Sequence, residues 1–536
     1  MVAVTAAPAD AAAPVGRRRG PRPPALLVLA GLAVAALTLL PLAFVAYEAV
    51  QTGWAEASRL IFRQRTADLL WNTVRLTAGA VALSLVLGVA AAWLVERSDL
   101  PGRRVWTVLL VAPLAVPSFV NAFGWISITP GLDGYTGAVT ITTLSYFPLV
   151  FLPATAALRG LDPGLEESAY SLGLGRWAGF VRVVLPQLRP ALLGGALLVS
   201  LHLLSEFGAL ALLRYPTFTT AIYDQFQSSF NSSAATMLAG VLVLLCLALL
   251  LADLGLRGRS RYARIGGGAP RPVARAPLGP ARWPVLAGLA ALVVLALGVP
   301  IGSIVRWLLA GSSTGVDTHR LLQAAGTSLS LGAVAAVVTV VLAIPAAWLA
   351  VRHRGRVSAL LEGSTYISSA LPGIVVALAL VTISIESFPA IYQTLPLLVL
   401  GYCILFLPRA VVSVRATLEL APPVLDDVAR SLGCTGAETA RRVTLPLVLP
   451  GLGASMALVS LAVSTELTAT LLLAPTGTST LATEFWSRAS AVEYGAAAPY
   501  ALLLIALSVP ATWLLSRAAN RDGLRTPASA VLEAVQ

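Results

Sequence analysis

The sequence predicts an all-α integral membrane protein of twelve transmembrane helices, arranged as two parallel six-helix repeats. Three observations carry that prediction. Of the 536 residues, 57% are hydrophobic and 12% charged, about half the roughly 25% charge of soluble domains. Twelve apolar runs are each long enough to cross a bilayer, which takes about 20 residues. The second half also repeats the first.

Residues 1–23, rich in Ala, Pro and Arg, read as a disordered cytoplasmic tail. Arg17-Arg18-Arg19 ahead of an apolar run imitates a signal peptide. The run from Pro24 to Val50 is too long for one, however, and lacks an A-x-A cleavage site, so it reads as a retained first span. Further spans are expected near 69–95, 105–128, 139–159, 188–213 and 236–256, completing a first half over 24–256. Residues 257–282, with seven Arg and clustered Gly and Pro, read as a cytoplasmic linker. Six spans near 283–307, 324–351, 361–384, 394–418, 449–474 and 493–516 make a second half over 283–518, followed by a tail over 519–536.

The repeat is visible residue by residue. At an offset of 255, the segment Ala91–Arg97 (AAWLVER) faces Ala346–Arg352 (AAWLAVR) and Pro117 faces Pro372; at 260, Pro148 faces Pro408. Six spans per half means both copies cross in the same direction, which relates them by a pseudo-twofold along the membrane normal. A path between the halves follows.

All 37 basic residues are Arg, against 25 acidic ones, a formal net charge of +12. In a soluble protein that excess points to nucleic acid. Here it sorts by membrane side: 29 Arg fall on the side of the termini, the linker and alternate loops, and eight on the other. Arg409 is counted with the 29. The positive-inside rule then places both ends in the cytoplasm of a cell-membrane protein, and no nucleic-acid partner is expected. The absence of Lys excludes a Walker A lysine and a lysine Schiff base. No catalytic residue is assigned and no cofactor is expected in this chain. Cys246, Cys403 and Cys434 show no CxxC spacing or His cluster, so neither a disulfide framework nor a structural metal site is expected.

The most informative residues lie in the loop after the fourth span of each half, 161–187 and 420–447. In the first, Glu167-Ser168-Ala169 is followed after three residues by Gly173 and after nine more by Val183-Val184-Leu185-Pro186. In the second, Asp427-Val428-Ala429, Gly433 and Val443-Thr444-Leu445-Pro446 keep identical spacing. Each loop reads as two short helices. Asp162-Pro163 caps and starts the first, Leu165, Ala169 and Leu172 make one apolar stripe, and Gly173 stops it; Leu425, Ala429, Leu432 and Gly433 repeat the design. Pro186 and Pro446 are expected to end the second helix and start the next span.

This pattern resembles the EAA loop of importer-type ABC permeases: E-A-A, three residues, Gly, nine residues, Ile-x-Leu-Pro. Ser168 and Val428 replace the second Ala, Asp427 replaces Glu, and Val183 and Val443 replace Ile. The resemblance implies a coupling helix that docks on a separate ATPase subunit, with Glu166, Glu167, Ala169, Gly173, Leu185 and Pro186 in one docking surface. Asp426, Asp427, Ala429, Gly433, Leu445 and Pro446 make the other. It further implies two ATPase copies that carry ATP and Mg, and an extracytoplasmic binding protein. Glu96–Arg104 lies where facilitator-superfamily transporters carry G-x-x-x-D-R-x-G-R-R, but the D-R dipeptide is absent; a proton-coupled carrier is the alternative of another class.

A fused permease of this length resembles the ferric-iron (FbpB-like) branch, which includes thiamine and phosphonate permeases. Ser205-Glu206-Phe207-Gly208-Ala209 and Thr217-Phe218-Thr219-Thr220-Ala221-Ile222-Tyr223 resemble iron-permease segments. Ferric iron is the expected cargo, with thiamine or an organophosphonate as the alternative. Glu206 and Glu466 occupy equivalent positions in otherwise apolar spans, where a carboxylate is costly and usually faces a cavity or partner. As hard oxygen donors they suit a small trivalent cation. Glu206, Glu466 and His202 are expected to line the substrate pathway; the competing reading is that each carboxylate caps a helix break, or that Glu206 pairs with His202 one turn earlier. Asp224 and Glu484 correspond further out, as binding-protein contacts or solvated charges. Pro117 and Pro372 are expected to kink or unwind spans three and nine beside the path, and Trp54, Trp71, Trp106 and Trp283 to anchor the interfaces.

Overall fold

The computed structural model describes residues 24–161, 163–227, 232–257, 275–311, 317–353, 355–421 and 423–521. The expected tail over 1–23, most of the linker, the last fifteen residues of the expected C-terminal tail and the Asp162 cap lie outside the described residues. Among the described residues, ten helices are long and apolar enough to cross a membrane, and two bent helix pairs bring the candidates to twelve. We number these spans 1–12 in chain order. The first half holds Ala25–Ile61, Gln64–Arg97, the bent pair Arg103–Ala115 with Ser118–Ile126, Gly134–Gly160, Trp177–Ser205 and Ser233–Leu256. The second holds Gly279–Ala310, Thr318–Arg352, the pair Arg356–Ser368 with Gly373–Ser387, Leu395–Glu419, Ala440–Ser464 and Tyr494–Trp513.

Spans 2, 4 and 5 pack together as the centre of the first half, and spans 8, 10 and 11 as the centre of the second. Lipid offers no hydrophobic drive for helix association, so close packing of small residues has to supply it. Span 8 accordingly buries Ala335, Ala336, Thr339, Ala343, Ala346 and Ala347 along one face. The first span of each half is exchanged with the other half. Beside its own half's span 6, span 1 packs on spans 8 and 9 of the other half, and beside its own half's span 12, span 7 packs on Ser118–Ile126 of the other. Gly124 makes the second exchange possible: a Cβ there would stand 2.5 Å from the Pro300 Cα of span 7.

Spans 3 and 9 are broken at Pro117 and Pro372. Proline disfavours helical backbone at the residue before it. Val116 is extended at φ −98° and ψ 110°, Pro117 follows at ψ 141°, and the axis turns by 89°. At Pro372 the turn is 101°.

Two expectations need correction. The spans expected over 188–213 and 449–474 stop at Ser205 and Ser464, and short helices Gly208–Leu212 and Thr468–Leu473 follow each break. Glu206 and Glu466 therefore sit at the breaks, not inside the helices. Second, Pro186 and Pro446 do not separate two helices. The turn before each widens, so that Leu185 N–H bonds to Phe180 O and Leu445 N–H to Ala440 O, and the helix runs on into the span. A proline cannot donate to the carbonyl four residues back, and a widened turn accommodates it. The described end of the linker is held against the end of span 2. Ala276 N–H bonds to Arg97 O at 2.8 Å, Asp99 N–H to Ala276 O at 3.2 Å, and Leu278 N–H to the Asp99 carboxylate at 2.8 Å.

Candidate functional site

Two constellations emerge, one in the twin loops and one between the halves. In each loop a helix, Pro163–Ser171 or Pro423–Ser431, opens on proline, whose missing N–H costs nothing at that position. Gly173 (φ +82°) and Gly433 (φ +87°) close these helices in the left-handed conformation. Gly173 N–H bonds to Tyr170 O and Leu174 N–H to Ala169 O, and Gly433 and Cys434 repeat both bonds to Arg430 and Ala429. That is the Schellman arrangement, which satisfies the last carbonyls of a helix.

The loop side chains divide by direction. Ala169 and Ala429 are buried, Glu167 and Asp427 exposed. The expected stripe is thus split: Leu172 is 83% and Leu432 79% exposed, alongside Leu165, Leu425 and Trp177. Each loop presents an apolar surface outward, while the carboxylate one position before the E-A-A triplet turns inward. Glu166 meets Arg97 at 3.0 Å and Asp426 meets Arg352 at 3.2 Å, both pairs largely shielded from solvent. Arg97 also donates to Leu158 O and Arg352 to Ala421 O, while Thr444 donates to Asp426 at 2.9 Å. Each loop is thereby tied to the end of the second span of its half. Burial pushes the Glu166 carboxyl above its ordinary range; Arg97 opposes that and Glu167 adds to it. Leu185 and Pro186 are half-buried, Leu445 and Pro446 exposed, where the second short helix runs into the span.

A glycine at φ near +85° with open space around it tests the backbone alone, since no atom lies within 4 Å of an added Cβ at Gly173 or Gly433. Gly433→Ala should cost about 1–2 kcal/mol of loop stability, Gly433→Asn less. Gly433→Pro, which can adopt neither the angle nor the bond to Arg430, should abolish co-purification with an ATPase subunit.

The second constellation surrounds a cavity of about 400 Å³ walled by both halves. Glu206, Glu466, His202 and Pro117 all line it, as do Leu371 and Gly373 on either side of Pro372. At each break the carboxylate caps the short helix that follows: Glu206 Oε1 accepts from Ala209 N–H at 2.9 Å and Glu466 Oε1 from Ala469 N–H at 3.1 Å. Capping and cavity lining coexist. His202 does not bond to Glu206; its Nδ1 faces Leu198 O at 2.8 Å.

The halves differ around their carboxylates. Glu206 Oε2 accepts hydrogen bonds from the Ser118 and Tyr146 hydroxyls. The matching positions carry Gly373 and Phe406, and where the first half has Leu149 and His202 the second has Arg409 and Ala462. Glu466 therefore faces a cation and Glu206 neutral donors. Arg409 corrects the orientation count: it lies in the middle of span 10 and lines the cavity. Ser118, Tyr146 and Arg409 escaped the sequence reading. Only Arg409 left a signal, the apolar Ala410-Val411-Val412 that follows it. The two iron-permease-like segments close on each other, with Thr219 Oγ1 donating to Glu206 O at 2.6 Å and Phe207 packed on Tyr223. Asp224 is exposed, and Glu484 pairs with Arg488. Among the described residues no three His, Cys, Asp or Glu side chains converge as a metal site.

Residues 84–254, and again 339–521, match the family described as the binding-protein-dependent transport system inner membrane component. The chain belongs to this family of ABC importer permeases. The double match places the permease among the fused two-half members, and each match begins within the second span of its half, leaving the exchanged first spans outside. An Fe(3+)-transport system permease protein of Haemophilus influenzae is 36% identical over 92% of this chain and 99% of its own length. A sulfate transport system permease of Escherichia coli is 30% identical over 41% of this chain and 86% of its own. A molybdenum transport system permease of the same species is 29% identical over 34% of this chain and 92% of its own. As a permease of this family the chain is a non-catalytic, multi-pass membrane subunit that works with a binding protein and an ATPase.

Proposed function

We propose that this permease imports ferric iron, handed over by an extracytoplasmic binding protein and driven by two copies of a separate ATPase subunit in which ATP and Mg reside. Both termini and both loops face the cytoplasm in this reading, as the Arg distribution requires. The observation that carries the cargo is the similarity to an iron permease over 92% of the chain, whereas the sulfate and molybdenum relatives cover 41% and 34% of it. The cavity supports it, because two carboxylates at helix breaks, one from each half, supply hard oxygen donors where a small, highly charged cation must pass.

The loops supply the mechanics. Leu172, Leu432 and Trp177, with Glu167 and Asp427 beside them, form the surfaces that enter the ATPase grooves. Glu166–Arg97 and Asp426–Arg352 pass ATPase closure to spans 2 and 8, which pack on the spans that carry Glu206 and Glu466. Rocking of the halves then exposes the cavity alternately to the two sides.

Uptake by the purified permease, ATPase and binding protein in proteoliposomes tests the cargo. ATP-dependent accumulation of radiolabelled ferric iron, undiminished by excess sulfate, molybdate, thiamine or an organophosphonate, is expected. Accumulation of one of those competitors in place of iron would reassign it.

A further inference from the structure

The cavity holds a cation that iron binding by carboxylates leaves unused. Arg409 lines both the central cavity and an adjoining one of about 220 Å³, which runs past Ser413 towards the end of span 10 that leads into the second loop. Among the described residues its guanidinium forms no hydrogen bond or close ion pair; it rests 5.4 Å from the centroid of the Phe406 ring. Arg97, Arg352, Arg415 and Arg488, by contrast, each sit on a carboxylate. Glu466 is near enough to feel the charge of Arg409 without bonding to it.

An arginine in the middle of an apolar span is costly and needs a partner. Its planar fork suits two oxygens of one anion better than a point contact. It also stands where the two cavities meet, so a bare trivalent cation leaving the central cavity would be repelled by it with three times the force felt by a monovalent one. An oxyanion ligand on the metal lowers the net charge of the cargo, turns a negative group towards Arg409 and supplies the oxygens that Arg409 lacks. We propose that the cargo crosses as a metal–oxyanion complex, with Glu206 and Glu466 facing the metal and Arg409 holding the anion. This rests on the ferric-iron reading above and adds a second component to its substrate.

The test is double-label uptake by the complete reconstituted importer, with radioiron supplied alongside labelled inorganic phosphate or, in parallel, labelled bicarbonate. One of the two anions is expected to enter with iron at a fixed ratio. Arg409→Gln should lower uptake of both labels by about tenfold or more, the worth of a charge-assisted hydrogen bond, and Arg409→Lys should recover part of it. The wild-type anion-to-iron ratio needs no variant and stands even if Arg409→Gln fails to assemble. Iron entering with neither anion, or faster in Arg409→Gln, would overturn the proposal and leave the iron reading intact. An anion entering without iron would overturn both.

Discussion

Replacing Arg97 and Arg352 together by methionine should uncouple the importer: ATP hydrolysis no longer stimulated by loaded binding protein, and iron uptake down by more than about tenfold. Each change leaves a carboxylate shielded from water without its partner, a loss of about 3–5 kcal/mol for a buried pair. Arg97 is 6% exposed and Glu166 12%, Arg352 11% and Asp426 9%, so screening by solvent is weak at both. Removing both charges of a pair is expected to restore coupling, because well-packed apolar replacements of buried pairs are often neutral. Arg97→Met with Glu166→Leu should therefore recover more than Arg97→Met alone. Recovery at Arg352 and Asp426 should be smaller, since Asp426 also accepts from Thr444. The sign of the pH effect follows from Glu166, whose carboxyl burial raises. The fold favours its protonated form, so its contribution is present below the unfolded value and is lost as pH rises through the folded one. Arg97→Gln removes the opposing charge, and its coupling should improve as pH falls from neutral towards the acid side. Stimulated ATPase activity across that range measures this, and an Arg97→Gln profile parallel to wild type would contradict it.

Glu206→Gln combined with Glu466→Gln should lower iron uptake by about tenfold or more while leaving assembly with the ATPase intact. The amides can still cap Ala209 and Ala469 through their carbonyl oxygens, so the short helices persist and the charge is the main loss. The single variants should differ. Glu466→Gln leaves Arg409 as an uncompensated cation in the cavity, whereas Glu206→Gln leaves a site already furnished with the Ser118 and Tyr146 hydroxyls. Uptake by the double variant equal to wild type would remove both carboxylates from the pathway.

The span count, the repeat and the loop spacing were legible because each is periodic in sequence. Twenty-residue apolar runs, an offset of 255 or 260 and a fixed interval from Glu167 to Gly173 need no tertiary knowledge. What escaped depends on three-dimensional closure. The partner of Glu166 lies two spans earlier, at Arg97; the AAWLVER repeat marked that arginine without marking its contact. In the sequence Glu206 and Glu466 read as helical because the apolar run continues past them, yet a carboxylate that caps the next turn breaks the helix at its own position. Arg409 reads as a membrane-face residue because arginines usually lie there; only the fold shows a cavity beside it. The asymmetry between Ser118 and Gly373, or Tyr146 and Phe406, is written in the sequence but has no meaning until both carboxylates share one space.

Transport by this permease depends on transmission from a separate ATPase through the twin loops into the gate between the halves. Uptake into liposomes holding the permease alone, compared with liposomes holding the permease, ATPase and binding protein with internal ATP, tests it most directly. Accumulation only in the complete system, abolished by Gly433→Pro, is the expected result. Sustained accumulation by the permease alone, driven by a proton gradient, would contradict it.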